Sequence, residues 1–212
     1  MKKIGLFIGI LLLLACSSTR FVGSWKNPAI ISFEPKKMLV VGITDNLAAR
    51  KIFEEKLKNA LIIRNIYAVE SMAVLDNGFT GFKKNEDEID KMIKKIADEG
   101  FDTVVITSVK GVDERVNYHT EYYPTIGDRW SQFGRYYYWN QEIYYTPRYY
   151  NSYKVYNVET VIYTISQDDS KSLVLVGAFN LVDPHTIIAS VNNYVTNIIK
   201  QLEREKLIKA LG

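Results

Sequence analysis

"KKMLVVGITDNLAARKIFEEKLKNAL", residues 36–61, decides the fold. Met38-Leu39-Val40-Val41-Gly42-Ile43 is an unbroken apolar run of strand length, the pattern of a strand covered on both faces. Thr44, Asp45 and Asn46 then offer helix caps, because short polar side chains accept from the free N–H groups of a first turn. Asp45 reads as a cap rather than a ligand. From Ala49 onward Phe53, Leu57, Ala60 and Leu61 recur at helical spacing, with Arg50, Lys51, Glu54, Glu55 and Lys58 between them. This predicts an amphipathic helix to about Arg64. Arg50 and Glu54 stand four apart and are expected to pair on the helix surface. Asn65 suits the left-handed position that ends a helix.

The pattern continues. "IYAVESM" reads as a second strand and "DNGFTGFKKN" as turn material. Asn85, with Glu88 three residues on, resembles a capping box. Ile89, Met92, Ile93, Ile96 and Ala97 give the next helix one apolar face, and Gly100 stands where a C-terminal cap belongs. "FDTVVITSV" is a third strand. Strand–helix–strand–helix–strand order favours parallel pairing through right-handed crossovers. "KVYNVETVIYTIS" and "KSLVLVGAFNLV" then predict two long strands, and the turn residues "QDDS" make them an antiparallel hairpin. Asp183 offers a cap and Pro184 a first-turn residue for a last helix. Its apolar face is Ile187, Val191, Tyr194, Val195, Ile198 and Leu202, and it is expected to run to Leu207 or beyond. Residues 36–212 are therefore expected to form one α/β (α+β) domain: a mixed sheet of about five strands with three helices, and one long aromatic loop inserted before the C-terminal hairpin and helix.

The chain begins with Lys2 and Lys3 and an apolar run from Ile4 to Ala15. Twelve helical residues rise roughly 18 Å, short of a hydrocarbon core about 30 Å thick. A basic start, a short apolar stretch and a small residue before a cut describe a secretory leader, here residues 1–15. Leu13-Leu14-Ala15-Cys16 resembles the lipobox of bacterial lipoproteins. That resemblance implies a diacylglyceryl group on the sulfur of Cys16, cleavage before it, and acylation of the freed amine. Cys16 is the only cysteine, so no disulfide competes for it. Residues 16–35 read as a lipidated tether and lead-in, with Trp25 packed against the domain. Ser17 resembles an outer-membrane sorting signal, which places the protein in the cell envelope, at the outer membrane and facing the periplasm.

Three stretches carry a family likeness: residues 36–61, the hairpin "ETVIYTISQDDSKSLVLVGAFNLVDP" and the final helix. They resemble a group of uncharacterised bacterial envelope lipoproteins, with Asp45, Arg50, Phe53 and Glu54 as the aligned positions. More distantly, the strand–helix order is similar to the α/β domain of the curli secretion lipoprotein and the N-terminal domain of TolB. The resemblance implies an envelope interaction or assembly module, and it brings no catalytic residues.

Residues 117–153 form an aromatic-rich connection. Twelve of the 15 tyrosines fall between Tyr118 and Tyr156, with Trp130, Phe133 and Trp139. A connection this long inside a compact domain is functional or disordered. Tyr and Trp supply stiff, amphipathic contact area at low entropic cost. Trp130, Tyr136, Tyr137, Tyr138, Trp139, Tyr144, Tyr145, Tyr149 and Tyr150 are the candidate surface for an envelope protein or glycan partner. The competing reading is a loop whose tyrosines pack on one another.

Little else points to chemistry. Loss of Lys2 and Lys3 takes the formal charge from +3 to +1, so no basic field suits nucleic acid. The turn at Gly42–Asn46 sits where open α/β sheets bind ligands, but carries no phosphate-binding motif. His119 and Glu121 supply too few ligands for a metal, and His185 falls in a first helical turn that disfavours positive charge. The sequence therefore predicts no cofactor, no metal and no catalytic residue, and a non-enzymatic module held to the membrane through Cys16. The alternative is a hydrolase of envelope polymers, which requires a pocket with two facing carboxylates.

Overall fold

Strand β2 (Met38–Ile43) is buried at every position, as its unbroken apolar run requires. The computed structural model describes residues 19–75, 83–114, 154–165, 172–182, 184 and 186–211. Around β2 the chain forms β1 (Thr19–Lys26), α1 (Leu47–Ile62), β3 (Ala68–Glu70), α2 (Glu86–Asp98), β4 (Thr103–Glu114), β5 (Lys154–Thr164), β6 (Leu173–Val182) and α3 (Ile187–Arg204). Six strands share one sheet in the order β1-β6-β5-β4-β2-β3. β2 pairs parallel with β3 and β4, and the other ladders are antiparallel. The mixed α/β class, the three helices and the parallel start followed by a hairpin are as the pattern predicts.

The strand count is one higher than expected, because residues 19–26 are strand rather than lead-in. β1 lies at the sheet edge, antiparallel to β6 from Thr19↔Leu181 to Lys26↔Leu175. A register shift between Phe21 and Gly23 breaks its alternation. Trp25 packs on the core, as expected.

Each sheet face carries its own helices. Met38, Val40, Val105, Val158 and Phe179 pack with Phe53, Leu57 and Leu61 of α1 and with Tyr194, Val195, Ile198 and Leu202 of α3. Leu39, Val41, Val104, Ile106 and Val161 pack with Ile89, Met92 and Ile96 of α2 on the opposite face. Alternation along a strand makes this division: successive residues of β2 enter opposite cores.

The caps follow local hydrogen bonding. Asn46, not Asp45, caps α1 by accepting from Ala49 N at 3.0 Å. The Asn85–Glu88 capping box is present on α2. Thr186, rather than Asp183, caps α3 by accepting from Ala189 N, so the helix starts later than Pro184 predicts. Asn65 at φ 62° and Gly100 at φ 82° take the left-handed positions that end α1 and α2. α3 ends at Arg204, short of Leu207.

Candidate functional site

β2 leads through α1 to β3 on one side, and β3 leads through α2 to β4 on the other. The carboxyl end of β2 is thus the switch point at which open α/β sheets receive ligands. Here that place is filled by the chain itself. The Glu54 carboxylate is fully buried, and its Oε1 accepts from Gly42 N at 3.0 Å, Arg50 Nε at 2.8 Å and Ser71 Oγ at 2.6 Å. Its Oε2 accepts from Met72 N at 3.1 Å, and Arg50 Nη2 donates to Ser71 Oγ at 2.7 Å. The expected Arg50–Glu54 pair forms, but inside the domain rather than on the helix surface, with side-chain exposures of 3% and 0%. It ties β2, α1 and the short turn after β3 together. Gly42 is the residue that lets α1 come this near: a Cβ there would stand 3.2 Å from Phe53 Cδ1 and 3.3 Å from Arg50 Cγ. Asp45 lies exposed beside this tie and is no part of it.

Among the described residues the buried carboxylates are Glu54 and Glu159. Glu159 is flanked in β5 by Val158 and Thr160, which face α1 and α3, so its own side chain lies on the α2 face, 3.9 Å from Lys110 Nζ. The two carboxylates are therefore on opposite faces and cannot act on one bond as an acid–base pair. A second buried network joins α3 to the sheet. Tyr194 Oη and Thr160 Oγ1 are 2.7 Å apart, and Thr160 Oγ1 and Thr107 Oγ1 are 2.7 Å apart. Burial pushes the Tyr194 phenol well above its ordinary range, so it stays neutral. Tyr194→Phe removes a satisfied hydroxyl while Thr107 and Thr160 keep each other, with an expected cost of about 1 kcal/mol in chemical denaturation. The sign with pH is fixed: a phenol whose folded pKa is raised stabilises fully below about pH 10, the unfolded value, and that stability falls as pH rises further. The Phe variant should lose stability less steeply above pH 10 than the parent, and an identical slope would remove Tyr194 from the alkaline transition.

The strand ends place the remaining features. Thr19 pairs with Leu181, Leu181 with Tyr156, and Tyr156 with Val112. The start of β1, the end of β6, the start of β5 and the end of β4 thus form one end of the sheet. The β4–β5 ladder continues to Glu114↔Lys154. Residues 115–153 are therefore joined to the domain at that end, and so is the stretch leading back from Thr19 to Cys16. Cys16 and the nine aromatic residues singled out above (Trp130, Tyr136, Tyr137, Tyr138, Trp139, Tyr144, Tyr145, Tyr149 and Tyr150) lie outside the described residues, as do His119, Glu121 and His185.

Solved structures similar to this chain include two bacterial proteins. The PelC dodecamer from Paraburkholderia phytofirmans is 12% identical, with a TM-score of 0.45 over 87% of this chain and 96% of that one. The lipoprotein GNA1162 from Neisseria meningitidis is 14% identical, with a TM-score of 0.40 over 80% of this chain and 99% of that one. No family model and no curated protein matches the chain. Neither likeness carries a site residue or an activity across.

Ser71, Thr107, Thr160 and the hydroxyl of Tyr194 are among the buried polar groups that sequence reasoning missed. Ser71 follows a strand of three residues and belongs to no periodic pattern. Tyr194 was legible as core, but its hydroxyl partners sit on strands far away in sequence.

Proposed function

We propose that this protein is a lipid-anchored module of the bacterial envelope that acts by binding rather than by catalysis, with residues 117–153 as its recognition segment. The observation that carries this reading is the β4–β5 ladder, paired up to Glu114↔Lys154. A rigid antiparallel pair holds both ends of the aromatic segment, as recognition loops are held on the scaffolds that present them. The buried charges support the same reading, since among the described residues Glu54 pairs with Arg50 and Glu159 lies 3.9 Å from Lys110 Nζ. The lipobox-like Leu13-Leu14-Ala15-Cys16 supplies the anchor, and Ser17 supports the outer membrane, facing the periplasm.

Removal of residues 118–153 tests the segment. The deletion leaves Arg115-Val116-Asn117 between the paired strands, a length that closes an antiparallel hairpin. The shortened chain should keep its far-ultraviolet spectrum and melt within a few degrees of the parent, while crosslinks to partners in intact cells disappear. The same crosslinked partners recovered from the deletion strain would assign recognition to another surface.

A further inference from the structure

Among the described residues, exposed large apolar side chains occur at both ends of the sheet: Ile62, Ile63 and Tyr67 stand at one, and a larger group stands at the other. Phe21, Val22, Val112, Ile187 and Ile188 are 39–59% exposed. Phe21 and Val22 lie near the start of β1, beside the register shift. Val112 lies near the end of β4, in the row that runs through Tyr156 and Leu181 to Thr19. Neighbouring strands are about 4.8 Å apart, so this row crosses four strands in roughly 15 Å. Ile187 and Ile188 open α3. That helix starts five residues after β6 ends at Val182, and its Glu203 pairs with Arg64, just past the carboxyl end of α1 at the other end of the sheet, so it runs away from this end as its numbers rise. Its first turn follows closely on the end of β6 and so lies near the row of Thr19 and Leu181. All five side chains therefore gather at the sheet end where β1 begins.

The chain before β1 says what covers them. The apolar run Ile4–Ala15 and Cys16 immediately precede Thr19, and three residues of fully extended chain span no more than about 11 Å. An acylated Cys16 holds the start of β1 within that distance of the bilayer. We infer that the sheet end built from Thr19, Val112, Tyr156 and Leu181 docks directly onto the bilayer, with Phe21, Val22, Val112, Ile187 and Ile188 sunk into its interfacial layer. The domain then stands with its strands pointing away from the membrane rather than swinging on a long tether. The orientation rests on the reading of Cys16 as the anchor. An apolar patch rimmed by polar groups settles in the headgroup and upper acyl region at a depth of about 5–10 Å.

The test uses the full lipidated chain in protein-free phosphatidylcholine–phosphatidylglycerol vesicles. Cys16 is the only cysteine, and its sulfur is capped once acylated, so an introduced cysteine is the one reactive thiol. Ile188→Cys and Val112→Cys report from the docking end. Ile63→Cys, 62% exposed beyond the carboxyl end of α1, reports from the opposite end. Each carries an environment-sensitive fluorophore. The expected result is a blue-shifted emission at positions 188 and 112, quenched at least threefold more than position 63 by lipids bearing a nitroxide near the headgroup. Equal quenching at all three positions in protein that floats with the vesicles, with Cys16 acylated by mass, overturns the docking and leaves the anchor standing. Protein that fails to float, or has a bare sulfur at Cys16, overturns both. Shielding of position 188 in intact cells but not on vesicles assigns the face to a protein and overturns the bilayer as its occupant.

Discussion

Glu54→Ala is expected to lower the stability of the domain by about 3–5 kcal/mol, because it takes the opposite charge away from the Arg50 guanidinium in a site with 3% side-chain exposure. It also removes the acceptor of Gly42 N, Met72 N and Ser71 Oγ. For a chain of this size each kcal/mol is worth about 2–4 °C, so the midpoint should fall by roughly 10 °C. The double variant Arg50→Met with Glu54→Leu should recover part of the loss, since it leaves no unpaired charge in the interior. Denaturant titration of the parent and both variants reads the comparison. A loss under 1 kcal/mol for Glu54→Ala would mean that water reaches Arg50 and that the tie is not closed.

Cys16→Ser should produce the largest change in behaviour. The membrane-bound fraction is expected to fall at least tenfold, with the protein either left unprocessed or released. Burial of acyl chains contributes about 0.8 kcal/mol per methylene, so one chain holds reversibly and two or three hold for the life of the protein. Mass analysis of the parent should find its mature N-terminus at an acylated Cys16. Undiminished membrane retention of Cys16→Ser would end the anchor reading.

Some of this architecture was legible in the sequence and some was hidden for definite reasons. β2, α1, the Asn85–Glu88 capping box and the β5–β6 hairpin were legible because each joins an apolar period to a local cap or turn. β1 was missed because the register shift after Phe21 breaks its two-residue alternation, with Phe21 set edge-on against Phe179 and Val22 half-exposed beside it. The burial of Arg50 and Glu54 has a signal in the helical spacing. They fall on the same helical stripe as Leu57 and Leu61, and charges on such a stripe must pair inside. The cap of α3 was ambiguous because Asp183 and Thr186 both qualify by residue type. The Tyr194–Thr160–Thr107 network joins one helix to two strands distant in sequence, and no local rule announces such a meeting.

The position of β1 also bears on how the domain is made. It is the first described element to leave the ribosome, yet its sheet partner is β6, near the far end of the chain. Such a pairing closes a very large loop, and non-local ladders of this kind are slow to form. Made N-terminus first, β1 waits unpaired until β6 has been synthesised. The outer rim of the sheet is thus the last part to zip, and during that interval its open backbone is the point most vulnerable to proteases and stray strand pairing.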